Sequence, residues 1–301
     1  YSENLEEYYI YNSEVLFLLS FLEMNMKNDS TSCSLLLGKI ENCCLNNNLL
    51  IFCAARLSNK LGDNDKTIQI LENRIISDTK YNFYYLDYLY AMSQLYKLEY
   101  HNANDYLLRF VNSFKGKNYI KSAYHMLSLI ALLEDNMEKK KYYEEMMLNN
   151  GQVLIDEDKQ AEDYVKNETL INITLLKSRF LFDGGYYKET LDYLSNINLN
   201  DIENNQEFIL EYYYRISRSN QGLSVSPIKV IDLFSKVLMI DNPSNLYYHP
   251  MSSLQIGLEY EKLRDNDQAI KFFKKTLSYR DFNYENGIKK SAKAGINRAL
   301  Y

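Results

Sequence analysis

Apolar and polar positions alternate at helical spacing along most of the chain, and the clearest unit covers residues 251–278. With Pro250 as position 1, small or apolar residues fall at positions 7, 8, 11, 20 and 24, namely Ile256, Gly257, Tyr260, Ala269 and Phe273. The polar run 264–267 separates two apolar stripes, and Asp265 or Asp267 is a candidate N-cap for the second helix. The spacing predicts two packed antiparallel helices, with Gly257 and Ala269 allowing close approach.

The same spacing recurs upstream in looser copies. The longest interval between copies, 50 residues from Lys140 to Thr190, predicts an insert whose acidic run 156–158 is interpreted as a solvated connector. Six copies exceed the ~3 that a helical-repeat protein needs to fold alone. The residues that correspond to Ala269 in the earlier copies are Thr67, Ala103, Lys140, Thr190 and Val230.

These copies predict an all-α protein: one continuous right-handed α–α superhelix over residues 1–301, with about six helix pairs. Residues 1–48 form N-terminal helices, residues 49–281 the repeats, and residues 282–301 a C-terminal capping helix. In the first helix, residues 4–24, we expect a buried side made of Tyr8, Val15, Leu18 and Leu22.

The final helix is predicted over residues 285–300. Its buried stripe would be Ile288, Ala292, Gly295 and Ile296, as a cap over the last repeat requires. The other side of this helix carries basic residues, and a docking surface for an acidic partner or an anionic membrane is the alternative to a cap. These basic residues are Lys289, Lys290, Lys293 and Arg298.

Composition agrees with a helical protein and excludes some classes. The chain has 301 residues, 46% of them hydrophobic and 25% charged, with only 3 Pro and 10 Gly to serve strand turns or long loops. A net charge of -6 argues against nucleic acid as the main partner. The apolar run 15–22 is much shorter than the ~20 residues of a membrane-spanning helix. We therefore expect neither a nucleic-acid partner nor a transmembrane segment in this chain.

Candidate chemistry is sparse. His101, His125 and His249 have no partner at helical spacing, and the chain lacks metalloprotease, nucleophile-elbow and phosphate-loop motifs. The four cysteines, Cys33, Cys43, Cys44 and Cys53, match no zinc pattern and are interpreted as small core residues, with a Cys33–Cys53 disulfide left open for an oxidising compartment. We expect no enzyme activity, no metal site and no cofactor.

The unit that begins at Pro250 resembles the tetratricopeptide repeat family, whose pattern L-G-x2-Y then A-x3-F is met by Ile256, Gly257, Tyr260, Ala269 and Phe273. Residues 177–194 resemble it more weakly. Segments 110–133, 175–194 and 289–300 are similar to longer, uncharacterised bacterial proteins of this family, which implies that the chain is the C-terminal part of a longer one.

The resemblance also implies where a ligand would lie. The best understood peptide site of the family clamps a carboxylate with Lys and Asn, whereas this chain has Leu254, Leu258 and Glu261 at those positions of the Pro250 unit, so the clamp is not carried over. The inner, concave side of such solenoids is lined by positions 2, 5, 9 and 12 of each first helix. At or beside those positions stand Tyr85, Tyr88, Met92, Lys121, Tyr124, Arg179, Phe182, Tyr214, Arg218, Leu254 and Leu258.

Aromatic and arginine side chains tend to dominate interface energies. An aromatic groove with three cations suits a peptide or protein partner that carries some acidic residues, so the chain is interpreted as a non-enzymatic interaction scaffold. Two alternatives stay open. The tyrosines could hold a glycan or another small molecule, or these side chains could be buried against their own neighbours. The sequence identifies neither the partner nor the oligomeric state.

The compartment is also left open. The sequence begins with Tyr1 rather than Met, so any targeting segment would lie upstream of it. We expect an exported, envelope-associated protein of a bacterium, and a cytoplasmic location is the alternative.

Overall fold

The computed structural model describes residues 9–25, 30–43, 45–74, 82–167, 169–242, 244 and 246–300. Within these ranges every regular element is helical. The all-α class predicted from the apolar spacing is therefore confirmed.

The described residues form sixteen α-helices. Their bounds are α1 (Tyr9–Asn25), α2 (Ser30–Cys43), α3 (Asn48–Lys60), α4 (Asn64–Glu72), α5 (Tyr85–Tyr96), α6 (Tyr100–Ser113), α7 (Ile120–Leu133), α8 (Met137–Asn149), α9 (Asp156–Lys166), α10 (Ile173–Asp183), α11 (Tyr187–Ser195), α12 (Gln206–Gly222), α13 (Pro227–Met239), α14 (Tyr248–Lys262), α15 (Asn266–Ser278) and α16 (Glu285–Leu300).

Consecutive helices pack in pairs, which is the arrangement of an α-solenoid. Five pairs, α3 with α4, α5 with α6, α7 with α8, α12 with α13 and α14 with α15, share extended interfaces. The sixth pair, α10 and α11, is joined by the turn at Gly185, where φ is 81°. Six pairs agree with the number of copies counted in the sequence.

The position that Ala269 occupies in the last copy is buried in almost every copy. The side chains of Thr67, Ala103, Thr190, Val230 and Ala269 are all 0% exposed. The exception is Lys140, which is half-buried and forms an ion pair with Glu144. Here Tyr143 and Met147 of α8 enter the core instead.

The last copy shows why a glycine stands at position 8. A Cβ on Gly257 would lie 2.6 Å from Cδ1 of Phe273, and one on Gly295 of α16 would lie 2.5 Å from its Cζ. Real Cβ atoms do not come so close, so the ring fits between α14 and α16 only because both positions lack a side chain. The predicted role of Gly257 is confirmed.

The turns within two of the helix pairs combine an aspartate N-cap with a preceding residue of positive φ. Asp265 caps α15 by accepting a hydrogen bond from the Gln268 amide at 3.1 Å, and Asp63 caps α4 through the Lys66 amide at 3.0 Å. The preceding residues Arg264 and Gly62 have φ of 60° and 77°. The predicted cap at Asp265 is confirmed.

The acidic run 156–158 is not a connector, and that expectation was wrong. It forms the first turn of α9, a helix that packs on α7 and lengthens the interval between two repeats. Asp158 is fully buried, with its two carboxylate oxygens accepting from the amides of Tyr119 at 2.8 Å and Ser122 at 3.0 Å. Its carboxylate thus satisfies free N–H groups at the start of α7, a long-range role that charge patterning along the chain does not reveal.

We expect Asp158→Ala to lower the free energy of unfolding by about 2 kcal/mol, because two buried N–H groups lose their acceptor. Burial raises the pKa of the Asp158 carboxyl, while the amides of Ser122 and Tyr119 act in the opposite direction. Because the pKa is raised in the folded state, Asp158 contributes fully to the free energy of unfolding at pH values below its pKa in the unfolded state. This contribution declines as the pH rises through its pKa in the folded state.

Urea denaturation of the wild type and of Asp158→Ala across acidic to neutral pH measures that difference. The exposed neighbour Glu157 offers the control Glu157→Ala, for which we expect a change within about 0.5 kcal/mol. Equal losses in both variants would contradict the cap.

The buried side of α1 was predicted incorrectly. Val15, Leu18 and Leu22 are 49%, 58% and 45% exposed, whereas Leu16 and Ser20 are buried; Tyr8 lies outside the described residues. The helix packs on α2 and α3 through this other side. Since α1 carries apolar residues on both sides, its spacing alone could not select the buried one.

Two of the four cysteines are buried thiols outside any disulfide. Cys33 and Cys53 are both 0% exposed and unbridged, so the disulfide that the sequence left open is not formed. Burial raises the pKa of Cys53 to about 11, which keeps its thiol protonated. Their predicted role as core residues is confirmed, while Cys44 lies outside the described residues.

The chain divides into two compact units. The first comprises residues 1–170 with 183–185, and the second residues 171–182 with 186–301. The core of the first unit includes Leu50, Leu57 and Leu71. In the second, α16 packs on α14 and α15 over Leu254 and Phe273. None of the described helices is long and apolar enough to cross a membrane.

Candidate functional site

A group of arginines lies in the second unit, around Glu211 of α12. The Oε1 atom of Glu211 accepts from Nε of Arg179 at 2.9 Å and from its Nη2 at 2.8 Å. Nε of Arg215, one turn along the same helix, is 3.5 Å from that oxygen. A single carboxylate thus serves two guanidinium groups.

A third arginine and an aromatic ring extend this group. The guanidinium carbons of Arg215 and Arg218 lie 5.1 and 5.4 Å from the centre of the Phe182 ring on α10. Nη1 of Arg218 donates to the Tyr214 hydroxyl at 3.2 Å, and its Nε is buried without an acceptor among the described residues. These contacts hold the Arg218 side chain in place, and its Nη2 has no acceptor in the part of the chain that the structure describes.

We name Arg179, Phe182, Arg215 and Arg218, together with Glu211, the arginine surface. The named residues comprise three arginines, one carboxylate and one aromatic ring. The side chain of Arg179 is 42% exposed, while Phe182 and Arg218 are half-buried. The Glu211 carboxylate raises the pKa of Arg179 above its already high value. The surface is thus permanently cationic and suited to carboxylate or phosphate groups.

The predicted site residues of the first unit mostly serve packing. Tyr88 is buried and its hydroxyl is 2.8 Å from Oγ of Ser122. Lys121 is buried as well, with Nζ donating to the Met147 carbonyl at 2.9 Å. Tyr124 is also buried, whereas Tyr85 and Met92 are half-buried. Of these five, only Tyr85 and Met92 have side chains that reach the surface.

Three predicted residues of the second unit are also packing residues. Tyr214 is 2% exposed and lies against Phe234 and Tyr248. Leu254 is buried in the core beneath α16, and Leu258 packs against the same core. The structure therefore brings only Arg179, Phe182 and Arg218 together as an accessible group.

Sequence reasoning missed Glu211 and Arg215, which hold that group together. Their spacing of four residues on a helix is a recognised ion-pair signal, and it could have pointed to them.

A second aromatic cluster surrounds Tyr85 in the first unit. Its ring centre is 4.7 Å from that of Tyr119 and 5.6 Å from that of Tyr88. Tyr119 has a φ of 64°, a conformation that a bulky residue rarely adopts. Its backbone is fixed by Asp158 and its ring by the two tyrosines.

The part of the chain that the structure describes contains no cluster of residues suited to metal binding. No group of three His, Cys, Asp or Glu there could hold a metal ion. His101 is exposed beside Asp105, at 3.6 Å. His249 has Nε2 2.8 Å from the Ile240 carbonyl, and burial lowers its pKa. These two histidines have local structural contacts and no catalytic neighbours.

No family model matches the chain, and no curated protein matches it in sequence. Among solved structures, the chain is similar to the crystal structure of the APC/C hetero-tetramer Cut9-Hcn1, with 12% sequence identity and a TM-score of 0.40. That similarity covers 98% of this chain and 50% of the other, so this chain spans half the length of its neighbour. The fold assignment here rests on the paired helices and their buried repeat positions.

Proposed function

We propose that this chain is a non-enzymatic interaction scaffold that binds an acidic segment of a protein partner through the arginine surface. One observation carries the proposal: Arg179 and Arg215 contact the Glu211 carboxylate, and Arg215 and Arg218 lie against the Phe182 ring. Three guanidinium groups are thereby held close together, and those of Arg179 and Arg218 belong to side chains that are not fully buried. Paired helices supply a rigid support, as in other helical-repeat proteins that bind along extended surfaces.

The side chain of Arg218 is preorganised for binding. Arg218 is held against Phe182 and Tyr214 before any ligand arrives, so little side-chain entropy is lost when it binds. Its Nη2 group, which has no acceptor among the described residues, can donate to a carboxylate. Phe182 offers an apolar neighbour, and a segment with an acidic residue beside an apolar one fits both.

The first testable consequence concerns Arg218. From a randomised peptide library selected on the full chain, we expect peptides enriched in Asp and Glu. Replacing Arg218 by Gln should weaken their binding about tenfold, the usual cost of one charge-assisted hydrogen bond. Fluorescence anisotropy with a labelled selected peptide measures this change.

Lys271→Gln is the matched control, because Lys271 is an exposed cation on α15 in the same unit. It removes the same charge and should leave peptide affinity within about twofold, as expected for a screened surface charge. Equal losses in both variants would mean that net charge alone drives binding. Selected peptides without acidic enrichment would contradict the proposal.

The alternative function, a glycan or small-molecule module, draws on the tyrosines around Tyr85. Their rings pack on one another, and Tyr88 bonds to Ser122, which leaves fewer free polar atoms than the arginine surface has. Saturable thermal stabilisation by glycans that is lost in Tyr85→Ala, with no acidic peptides selected, would favour this alternative.

A further inference from the structure

A second cationic group lies in the first unit, around Asp87 of α5. Nη2 of Arg74 binds one oxygen of the Asp87 carboxylate, and Nε of Arg109 is 3.1 Å from the other. Asp87 is 3% exposed. Among the residues that the structure describes, two cations thus face one buried carboxylate in this group.

These residues line a small concave pocket. The other lining residues are Asn48, Asn82, Phe83, Tyr84 and Leu86. Arg74 is nearly enclosed, with 7% of its side chain exposed, and its Nη1 donates to the Leu71 carbonyl. Arg109 is 38% exposed. Among the described residues neither Nη atom of Arg109 has an acceptor, so its free N–H groups are available to the pocket.

The backbone adds to the positive potential. Asn48 is the first residue of α3, and Leu86 and Asp87 lie in the first turn of α5. Two helix N-termini therefore border the pocket, and the positive ends of their dipoles favour an anion. Asn82, next to Phe83 in sequence, lines the same pocket.

We propose that this pocket binds a small oxyanion, a carboxylate or phosphate group, at the guanidinium group of Arg109. Phe83 and Tyr84 also line the pocket, and its small size suits a headgroup. The pocket residues belong to the first unit and the arginine surface to the second, so variants of Arg109 and Arg218 test the two sites separately.

The test uses the full chain with inorganic phosphate and, separately, acetate, each compared with sodium chloride at the same ionic strength. Thermal shift gives the apparent affinity, and the Arg109 Nε resonance in 15N NMR reports the site. We expect saturable stabilisation by at least one anion together with a shift of that resonance. The anion that binds more tightly identifies the headgroup as phosphate or carboxylate.

Three variants make the test specific. Arg109→Gln should weaken the anion about tenfold or more, since a charged donor is lost. Lys115→Gln, an exposed cation outside the pocket, should leave the affinity unchanged. Asp87→Asn removes the competing carboxylate and should strengthen binding.

The proposal is overturned if neither anion stabilises the chain beyond sodium chloride, or if Arg109→Gln is stabilised as much as the wild type. Anion binding that disappears in Arg218→Gln and persists in Arg109→Gln would also overturn it, because the ligand would then occupy the arginine surface. If Arg109→Gln does not fold, an Arg109 Nε resonance that is unmoved by both anions in the wild type overturns it as well.

Discussion

Phe273→Ala is expected to lower the free energy of unfolding of the second unit by about 3–5 kcal/mol. Phe273 is fully buried, and its ring fills the space between Gly257 and Gly295. Neither glycine has a side chain that could move into the vacated volume. The loss of unfolding free energy therefore includes both the lost burial of the ring and the cost of a cavity that stays largely unfilled.

Chemical denaturation followed by circular dichroism measures this loss. The adjacent Phe272 is half-buried and stacks on Tyr260 at 5.7 Å, so Phe272→Ala removes the same atoms from a less enclosed place. We expect it to cost less than half as much. Equal costs for the two variants would show that the glycine-lined site is not the tightest part of the repeat.

Deletion of residues 287–301, most of α16, is expected to cause aggregation or loss of cooperative melting in the second unit. The helix lies on the core formed by Leu254, Ala269 and Phe273, and buries Ile288 and Ala292 of its own. Without it this apolar core would be open to water, and such patches lead to self-association. Size-exclusion chromatography and thermal melting measure both effects.

The basic side of α16 can be tested without touching that core. Lys290 and Lys293 are exposed, whereas Lys289 pairs with Glu285 and Arg298 with Glu261. We expect the double variant Lys290→Ala, Lys293→Ala to stay monomeric and equally stable. A truncated chain that is also monomeric and equally stable would refute the capping role and favour a docking surface.

The paired helices could be predicted because a single requirement, close packing of two helices, determines which residues occupy the repeat positions. Gly257 and Ala269 are small because two helices meet there, and a local spacing records that requirement directly. The side of α1 could not be predicted, since both of its sides carry apolar residues and only α2 and α3 decide between them. The role of Asp158 depends on Tyr119 and Ser122, which are distant in sequence.

Only some of the predicted site residues are accessible, because accessibility also depends on contacts that are distant in sequence. Positions such as those of Tyr88 and Tyr214 do lie on the first helix of a pair, but burial there depends on how closely the next pair packs. Tyr88 meets Phe110 and Tyr119, and Tyr214 meets Tyr248. Substituting these tyrosines would therefore disturb the core, and they are unsuitable as probes of binding. Arg179 is 42% exposed and Arg218 half-buried, because their long side chains extend past the packed layer.

Hydrogen exchange of the full chain, with and without a peptide selected from the randomised library, locates the helices that the peptide contacts. We expect the peptide to carry acidic residues and to slow exchange in residues 173–183 and 206–222, the helices of the arginine surface, with no such protection in Arg218→Gln. A peptide without acidic residues, or protection confined to other helices, would contradict this expectation.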